Sequence, residues 1–485
     1  MTRLLDTLDG TGRLPFPIQV QFLEWLQQQT SRVVAAQLPP GTGKSFIVRT
    51  IQRATGAAVV TPSNILVNQY AGTYPAVNVL KGQAHYECPA RGISCAEVKA
   101  LKAKPCADCV YRGCRRAALA GEATFFNPMS LYHLAQDPEF DRPTVTVVDE
   151  AHQLLSMLLL VAGRTFPADR YRLPTSAHVV DVLAWLREQR AKTARLAEHL
   201  SEQQELKRAA RAVTDSEGIA RVIDYLESEP ENYVVTFGSD RRRDGSVVDA
   251  LIVTPLLPPK ALVEKVVGTG RIVLLSGTLS RLDASLLAPG ESIAYMDAPS
   301  PIPAVQRQVL YRPWNFESPQ GLCAIVRGMH KEFGGPTIVH VTYAMSEKLA
   351  PHLDGELRNT AEDKERVVAR FKAEGGVFYA AGCAEGLDLP DGLCRLNIIP
   401  VLPRPNVGDA AVKKWLAQPG GSRRYDLETL RTLQQQVGRS TRHVNDWSVS
   451  VVCDPRFPQL ISKNRGDVSD SFYDSINWTG QRRQH

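Results

Sequence analysis

No apolar run in the 485 residues approaches the roughly 18–20 residues that a membrane-spanning helix needs. The longest, from Leu154 to Ala162, is interrupted by Ser156 and suits a buried helix. The opening stretch, MTRLLDTLDG, has no basic start followed by an apolar segment, so no secretory signal is expected. There is no internal repeat and no low-complexity tract. Hydrophobic residues make up 44% and charged residues 22%, enough to bury substantial cores and to exclude a disordered chain. These absences predict a soluble intracellular protein of a few domains, with no membrane partner.

Charge of one sign is also scarce. The 57 basic residues exceed the 51 acidic ones by only six, which tolerates a polyanionic partner without demanding one. Cysteine is rare but unevenly placed. Of nine, five fall between Cys88 and Cys114, whereas Cys323, Cys383, Cys394 and Cys453 are scattered. An odd number in an intracellular chain argues against a disulfide framework, and the clustering points to a metal or cluster site.

The pattern along the chain is α/β. Arg32 to Ala36 reads as a short strand, the loop LPPGTGKS follows, and FIVRTIQRA continues as a helix stopped by Gly56. Ala57 to Val60 is a second strand, which exits through TPSN into a helix carrying Leu66, Gln69 and Tyr70. From Gly82 to Gly113 the periodicity disappears, as in a metal-held insertion. A helix around Arg115–Ala120 and strands at Thr124–Phe126 and Thr144–Val148 come next. Ala177 to Ser228 is strongly helical, and YVVTF and VVDALIV, with Asp244-Gly245 between them, read as a β-hairpin. RIVLL (Arg271–Leu275) is another buried strand. Beyond a Pro-rich linker at Ala298–Ala304, a second α/β pattern has strands at TIVHV, GVFYA, LNIIPV and SVSVV.

Three segments carry chemistry. In Gly41-Thr42-Gly43-Lys44-Ser45, between strand and helix, glycines turn backbone N–H groups toward an anion, Lys44 reaches the β- and γ-phosphates of ATP, and Ser45 ligates Mg²⁺. The full pattern has Gly where this chain has Leu38. In Val147-Val148-Asp149-Glu150-Ala151-His152 a strand ends in two carboxylates, the first suited to Mg²⁺ and the second to polarising the attacking water. In Gln435-Gln436-Val437-Gly438-Arg439-Ser440-Thr441-Arg442, a Gln and two Arg read as sharing one helix, Arg439 and Arg442 three apart on one face. That spacing suits arginine fingers directed at a γ-phosphate. Upstream, Ala384-Glu385-Gly386-Leu387-Asp388-Leu389-Pro390 follows a buried strand, where Gly386 and Asp388 suit ribose or nucleic-acid backbone.

Taken in order, these segments resemble superfamily 2 helicases, specifically the XPD/DinG family of DNA helicases with an iron–sulfur insertion. Phe16-Pro17-Ile18-Gln19 resembles the adenine-reading glutamine region, with Phe16 where the family has Arg. LPPGTGKS resembles motif I, VVTPSNILVNQ motif Ia, VVDEAH motif II and LLSGTLS motif III, with Gly277 for the usual Ala. GCAEGLDLPDG resembles motif V, and QQVGRSTR, followed by Asp446 and CDPRF, motif VI. The resemblance implies an α/β fold of two RecA-like P-loop lobes. Residues 1–80, 118–170 and 231–297 would form lobe 1 and residues 298–485 lobe 2. An iron–sulfur insertion at 81–117 and a helical Arch-like insertion at 171–230 would interrupt lobe 1.

The resemblance also places four cluster-ligating cysteines between motifs Ia and II. Cys88, Cys95, Cys106 and Cys109 are expected to hold a 4Fe–4S cluster with Cys114 as the alternative, because Cys109-Val110-Tyr111 fits the family's last ligand better. Spacing alone equally allows Zn²⁺. Lys99, Lys102, Lys104, Arg112, Arg115 and Arg116 make this region basic, as a wall tracking single-stranded DNA would be. The implied activity is ATP-dependent 5′→3′ DNA unwinding on single-stranded, forked or flapped DNA, by a compact monomer of a bacterial or phage-infected cytoplasm. The alternatives are a nuclease–helicase, although no HD- or DEDD-type array stands out among the ten histidines, an RNA/DNA-hybrid helicase, and a zinc-containing DNA-binding ATPase without unwinding.

Overall fold

The computed structural model describes all residues except 1–3, 101–103, 105, 242–245, 315–317, 384–386, 388, 390, 439, 442 and 484–485. The chain divides into two compact units. One comprises Met1–Ala36, Lys44–Ser276 and Arg281–Tyr295, and the other Gln37–Gly43, Gly277–Ser280 and Met296–His485.

The first unit is built on a seven-stranded sheet. Its order is Ile293–Asp297, Val33–Gln37, Arg271–Ser276, Val145–Asp149, Ala58–Val60, Thr124–Phe126 and Asn78–Leu80. Pairing is parallel from Arg271–Ser276 through to Asn78–Leu80. Val148 pairs with Leu274 on one side and with Val60 on the other. Val33, Val34, Val59, Val60, Val147, Val148, Leu274 and Leu275 are buried, the near-continuous apolar reading of strands covered on both faces. This register brings Val60, Asp149 and Ser276 to the same edge. Their strands end there, at the edge where open α/β sheets bind ligands.

Two insertions depart from the sheet. Between Leu80 and Thr124 a two-stranded hairpin (Glu87–Cys88 with Ile93–Ser94) leads into helices Cys95–Ala100 and Val110–Leu119. Further on, helices Val179–Glu202 and Leu206–Ser228 form a hairpin, turned by Gln204 with a left-handed φ of 60° and sealed by Ala197, Leu200, Ala209 and Ala212. The strands Tyr233–Arg241 and Val247–Pro255 form the expected hairpin, but they do not join the parallel sheet. They pair with Arg164–Pro167 in a separate antiparallel sheet. The turn at Asp244-Gly245 lies outside the described residues. Helix Ala151–Ala162 buries Leu154, Leu155 and Leu158 and leaves Leu160 exposed.

The second unit carries another seven-stranded sheet, parallel throughout. Its order is Leu357–Arg358, Val377–Ala381, Thr337–Val341, Leu396–Ile399, Ser448–Val452, Arg307–Tyr311 and Ile476–Asn477. Val339, Tyr379, Ile398, Val449 and Val451 pack with Leu322, Val326 and Met329 of helix Pro319–Phe333. Helix Gly421–Val437 corrects the reading of one helix running through Arg442: it stops with Gly438 as its C-cap. Glycine is costly inside a helix. Beyond it, buried Ser440 and Thr441 bond Asn397 and Ser448, which draws the chain into strand Ser448–Val452. Among the described residues, no helix is long and apolar enough to cross a membrane.

Candidate functional site

The phosphate-loop sequence turns sharply after strand Val33–Gln37. Gly41 and Gly43 take φ of 84° and 70°, conformations that strain a side-chain-bearing residue. Buried Thr42 closes the turn, its Oγ1 donating to the Pro39 carbonyl at 2.9 Å. Leu38, where the full pattern has Gly, is fully buried and serves packing. Lys44 and the exposed Ser45 open helix Lys44–Thr55. The N-terminus of that helix favours negative charge.

Across the sheet edge, Asp149 ends its strand buried. Its Oδ1 accepts the Glu150 N–H at 3.0 Å and its Oδ2 the Tyr70 hydroxyl at 2.8 Å. Glu150 is left-handed, with φ 52° and ψ 47°, and caps helix Ala151–Ala162. Its Oε1 lies 3.5 Å from Lys44 Nζ. Its Oε2 accepts from Ser276 Oγ at 3.1 Å, and Ser276 Oγ in turn lies 2.5 Å from His152 Nδ1. Two strand ends, at Asp149 and Ser276, and two helix starts, at Lys44 and Ala151, thus converge on Glu150.

The electrostatics separate the two carboxylates. Burial, then the adjacent Glu150 charge, pushes Asp149 up to about 6 against the pull of Lys44 and Tyr70. For Glu150 burial acts in the same upward direction, but Lys44 and His152 outweigh it and hold the group below the ordinary carboxylate range. A divalent cation beside Asp149 would relieve the cost of its buried charge, so the donor set fits Mg²⁺.

The other candidate residues are placed as follows. Gln19 is buried and its Oε1 accepts the Phe16 N–H at 2.8 Å, capping helix Pro17–Gln28. Gln435 is half-buried near the end of helix Gly421–Val437, and its Nε2 is buried without a hydrogen-bond partner among the described residues. A ligand oxygen would satisfy such a donor. Gly386, Asp388, Arg439, Arg442 and Lys102 lie outside the described residues.

The cysteines converge. Cys88, Cys95, Cys106 and Cys109 line one cavity of about 470 Å³ together with Lys99, Tyr111, Arg112, Arg115 and Arg116; Cys114 is not part of the lining. Cys88 ends a hairpin strand, Cys95 opens one helix and Cys109 caps the next. Burial and the Cys109 thiol push Cys95 up to about 12, and burial with the Cys88 thiol also raises Cys106, so holding these sulfurs as thiolates needs a cation. Cys95 and Cys109 Sγ lie 3.8 Å apart, a separation that two ligands of one zinc can share. Four convergent thiols are a donor set that suits either a zinc ion or a 4Fe–4S cluster, and the basic wall would offset the negative charge of either. Two of those basic groups are already engaged, Lys99 with Glu217 at 3.0 Å and Arg115 with Asp137.

Sequence reasoning missed Tyr70 as a site residue, and it did not foresee that Ser276 and His152 bind Glu150. The Tyr70–Asp149 and Ser276–Glu150 contacts join residues 79 and 126 apart in the chain, and no spacing signals them.

Two parallel α/β sheets, the first with a phosphate loop and a paired-carboxylate strand end, resemble the two RecA-like lobes of XPD helicases. Residues 337–471 match the family model described as Helicase C-terminal domain. The regulator of telomere elongation helicase 1 homolog of Aedes aegypti is 33% identical over 121 residues, 22% of this chain and 12% of that protein. The Fanconi anemia group J protein homolog of Gallus gallus is 32% identical over 131 residues, 24% of this chain and 10% of that protein. The aligned stretches span about a tenth of the length of these curated relatives. Among solved structures, an XPD helicase is similar with a TM-score of 0.65 and 13% identity, covering 96% of this chain and 100% of that one. The Xpd4 structure of S. tokodaii gives 0.54 and 14% identity, covering 95% and 99%. The likeness to these structures is one of fold.

Proposed function

We propose that the chain is an ATP-driven DNA helicase that translocates 5′→3′ on single-stranded DNA, with forked or flapped DNA as its substrate. One observation carries the reading: Lys44 meets Glu150 at 3.5 Å, at the sheet edge where Asp149 and Ser276 end their strands. Lys44 and the loop Gly41-Thr42-Gly43 hold the phosphates of ATP, with Gln19 near the adenine. Ser45 and Asp149 hold Mg²⁺, and Glu150 takes the proton of the attacking water. Gln435, Arg439 and Arg442 are assigned to the γ-phosphate, and Gly386 and Asp388 to ribose or DNA backbone. Mg²⁺ supplies charge neutralisation during phosphoryl transfer.

Cys88, Cys95, Cys106 and Cys109 would hold a 4Fe–4S cluster, whose part is to order segment 81–117. The helical hairpin at 171–230 is assigned as the Arch-like insertion, 1–80, 118–170 and 231–297 as lobe 1 and 298–485 as lobe 2. The short insertions suit a compact bacterial or phage enzyme, working as a monomer in the cytoplasm.

The test is ATP hydrolysis with and without single-stranded DNA, combined with unwinding of 5′-tailed and 3′-tailed duplexes. DNA-stimulated hydrolysis and release of the 5′-tailed strand alone are expected. Hydrolysis without unwinding reduces the protein to a DNA-binding ATPase. Shortened strands make it a nuclease–helicase, and preference for a hybrid duplex makes it an RNA/DNA helicase.

A further inference from the structure

Tyr70 lies on helix Asn64–Thr73, the helix entered through Thr61-Pro62-Ser63. Its hydroxyl reaches across to the strand end at Asp149, 79 residues later in the chain, and donates to Oδ2 at 2.8 Å. Both side chains are nearly inaccessible, at 3% and 4% exposure, so water cannot replace the bond. The Tyr70 ring stacks on Phe125 with centroids 4.4 Å apart, which fixes where the hydroxyl points. Asp149 Oδ1 is held by the Glu150 N–H. Both oxygens therefore carry a donor, one supplied by the chain neighbour and one by a different element.

We propose that Tyr70 is a positioning residue, which fixes the orientation of the Asp149 carboxylate for Mg²⁺. The inference rests on the reading of Asp149 as the Mg²⁺ carboxylate. Mg²⁺ accepts little departure from octahedral geometry, so an acidic group serving it or its waters must not rotate. A donor bonded to a charged oxygen is stronger than a neutral pair, and a rigid aromatic delivers it with little residual freedom. Without the hydroxyl, Oδ2 would be buried with no donor and the carboxylate would turn to find one.

Tyr70→Phe removes the hydroxyl and keeps the stack on Phe125, so the fold is retained; a thermal melt checks this. Binding of a methylanthraniloyl-labelled ATP is followed by fluorescence, first without metal and then across a Mg²⁺ titration, with no turnover required. The Mg²⁺ midpoint is expected to rise roughly tenfold in Tyr70→Phe, while metal-free affinity stays at the wild-type value. A purely structural role would move both quantities or neither. An unchanged Mg²⁺ midpoint in folded Tyr70→Phe overturns the positioning role. A wild type whose nucleotide binding ignores Mg²⁺ overturns the Asp149 assignment itself, and this inference with it.

Discussion

Glu150 sits where a glutamate is strained. A left-handed backbone costs a residue with a Cβ on the order of 1 kcal/mol, and here it directs the carboxylate toward Lys44 and Ser276. Such strain persists only where its surroundings hold it, and Ser276 and His152 supply that hold. Glu150→Gln keeps the shape and a Ser276 contact but loses the base. It should bind Mg²⁺–ATP as wild type does and turn it over about 10²–10⁴-fold more slowly, as single-turnover hydrolysis would show. Lys44→Ala should abolish hydrolysis with little change in melting temperature, because the ammonium is assigned to phosphate and is not part of the core. Ser276→Ala should lower kcat about tenfold with nucleotide affinity kept, as the carboxylate loses one of its anchors. Lys44, Asp149 and Glu150 were legible in the sequence because a glycine loop and a paired-carboxylate strand end are local patterns. Ser276 beside Glu150 was not, since only the parallel register of Leu275 with Asp149 brings them together.

At the scale of elements, the segment between strands Val377–Ala381 and Leu396–Ile399 is tied to the end of the arginine segment. Buried Asp446 accepts from Arg395 Nη1 at 2.7 Å and from the Trp447 N–H at 2.8 Å through Oδ1, and from the Asp391 N–H at 3.2 Å through Oδ2. Asp391, left-handed at φ 56°, is bound by His443 Nε2 at 2.5 Å. The three acidic and imidazole groups come close enough to share a cation, but the Arg395 guanidinium already places positive charge on Asp446. The knot is therefore read as structural. Asp446→Ala leaves Arg395 without its carboxylate and should cost about 3 kcal/mol, with Asp446→Asn costing less, as urea midpoints would show. Strands such as Thr337–Val341 and Ser448–Val452 were legible as apolar runs bounded by turns. Asn78–Leu80, Leu357–Arg358 and Ile476–Asn477 were not, because two or three residues carry no period. Arg164–Pro167 was hidden because its partner, Val247–Pro255, lies beyond the whole helical hairpin. The helix end at Val437 was misjudged because the residues beyond Gly438 continue a helical charge spacing that their buried hydroxyls override.

For the whole molecule, the cysteine segment stands apart from both sheets in what holds it. Each sheet has an apolar core of its own, whereas the insertion rests on Tyr86, Cys95 and Cys109 with Cys106, Tyr111 and Cys114 packed against them. Ordering a residue costs about 1–2 kcal/mol of backbone entropy, which so small a core does not offset without a metal centre. Loss of the centre should loosen this segment and spare the phosphate loop and the Glu150 network, which use no cysteine. Cys88→Ser and Cys109→Ser should therefore lose iron and unwinding while keeping ATP turnover close to wild type. Cys114→Ser should keep all three, since Cys114 stays out of the cavity that the other four line. Iron and zinc per chain after anaerobic purification, ATPase rate and strand release, measured on each variant, decide the matter. Full iron in Cys109→Ser with none in Cys114→Ser would reverse the ligand choice. Stoichiometric zinc without iron in the wild type would replace the cluster by a zinc site, and turnover lost together with iron would mean that the insertion supports the ATP site after all.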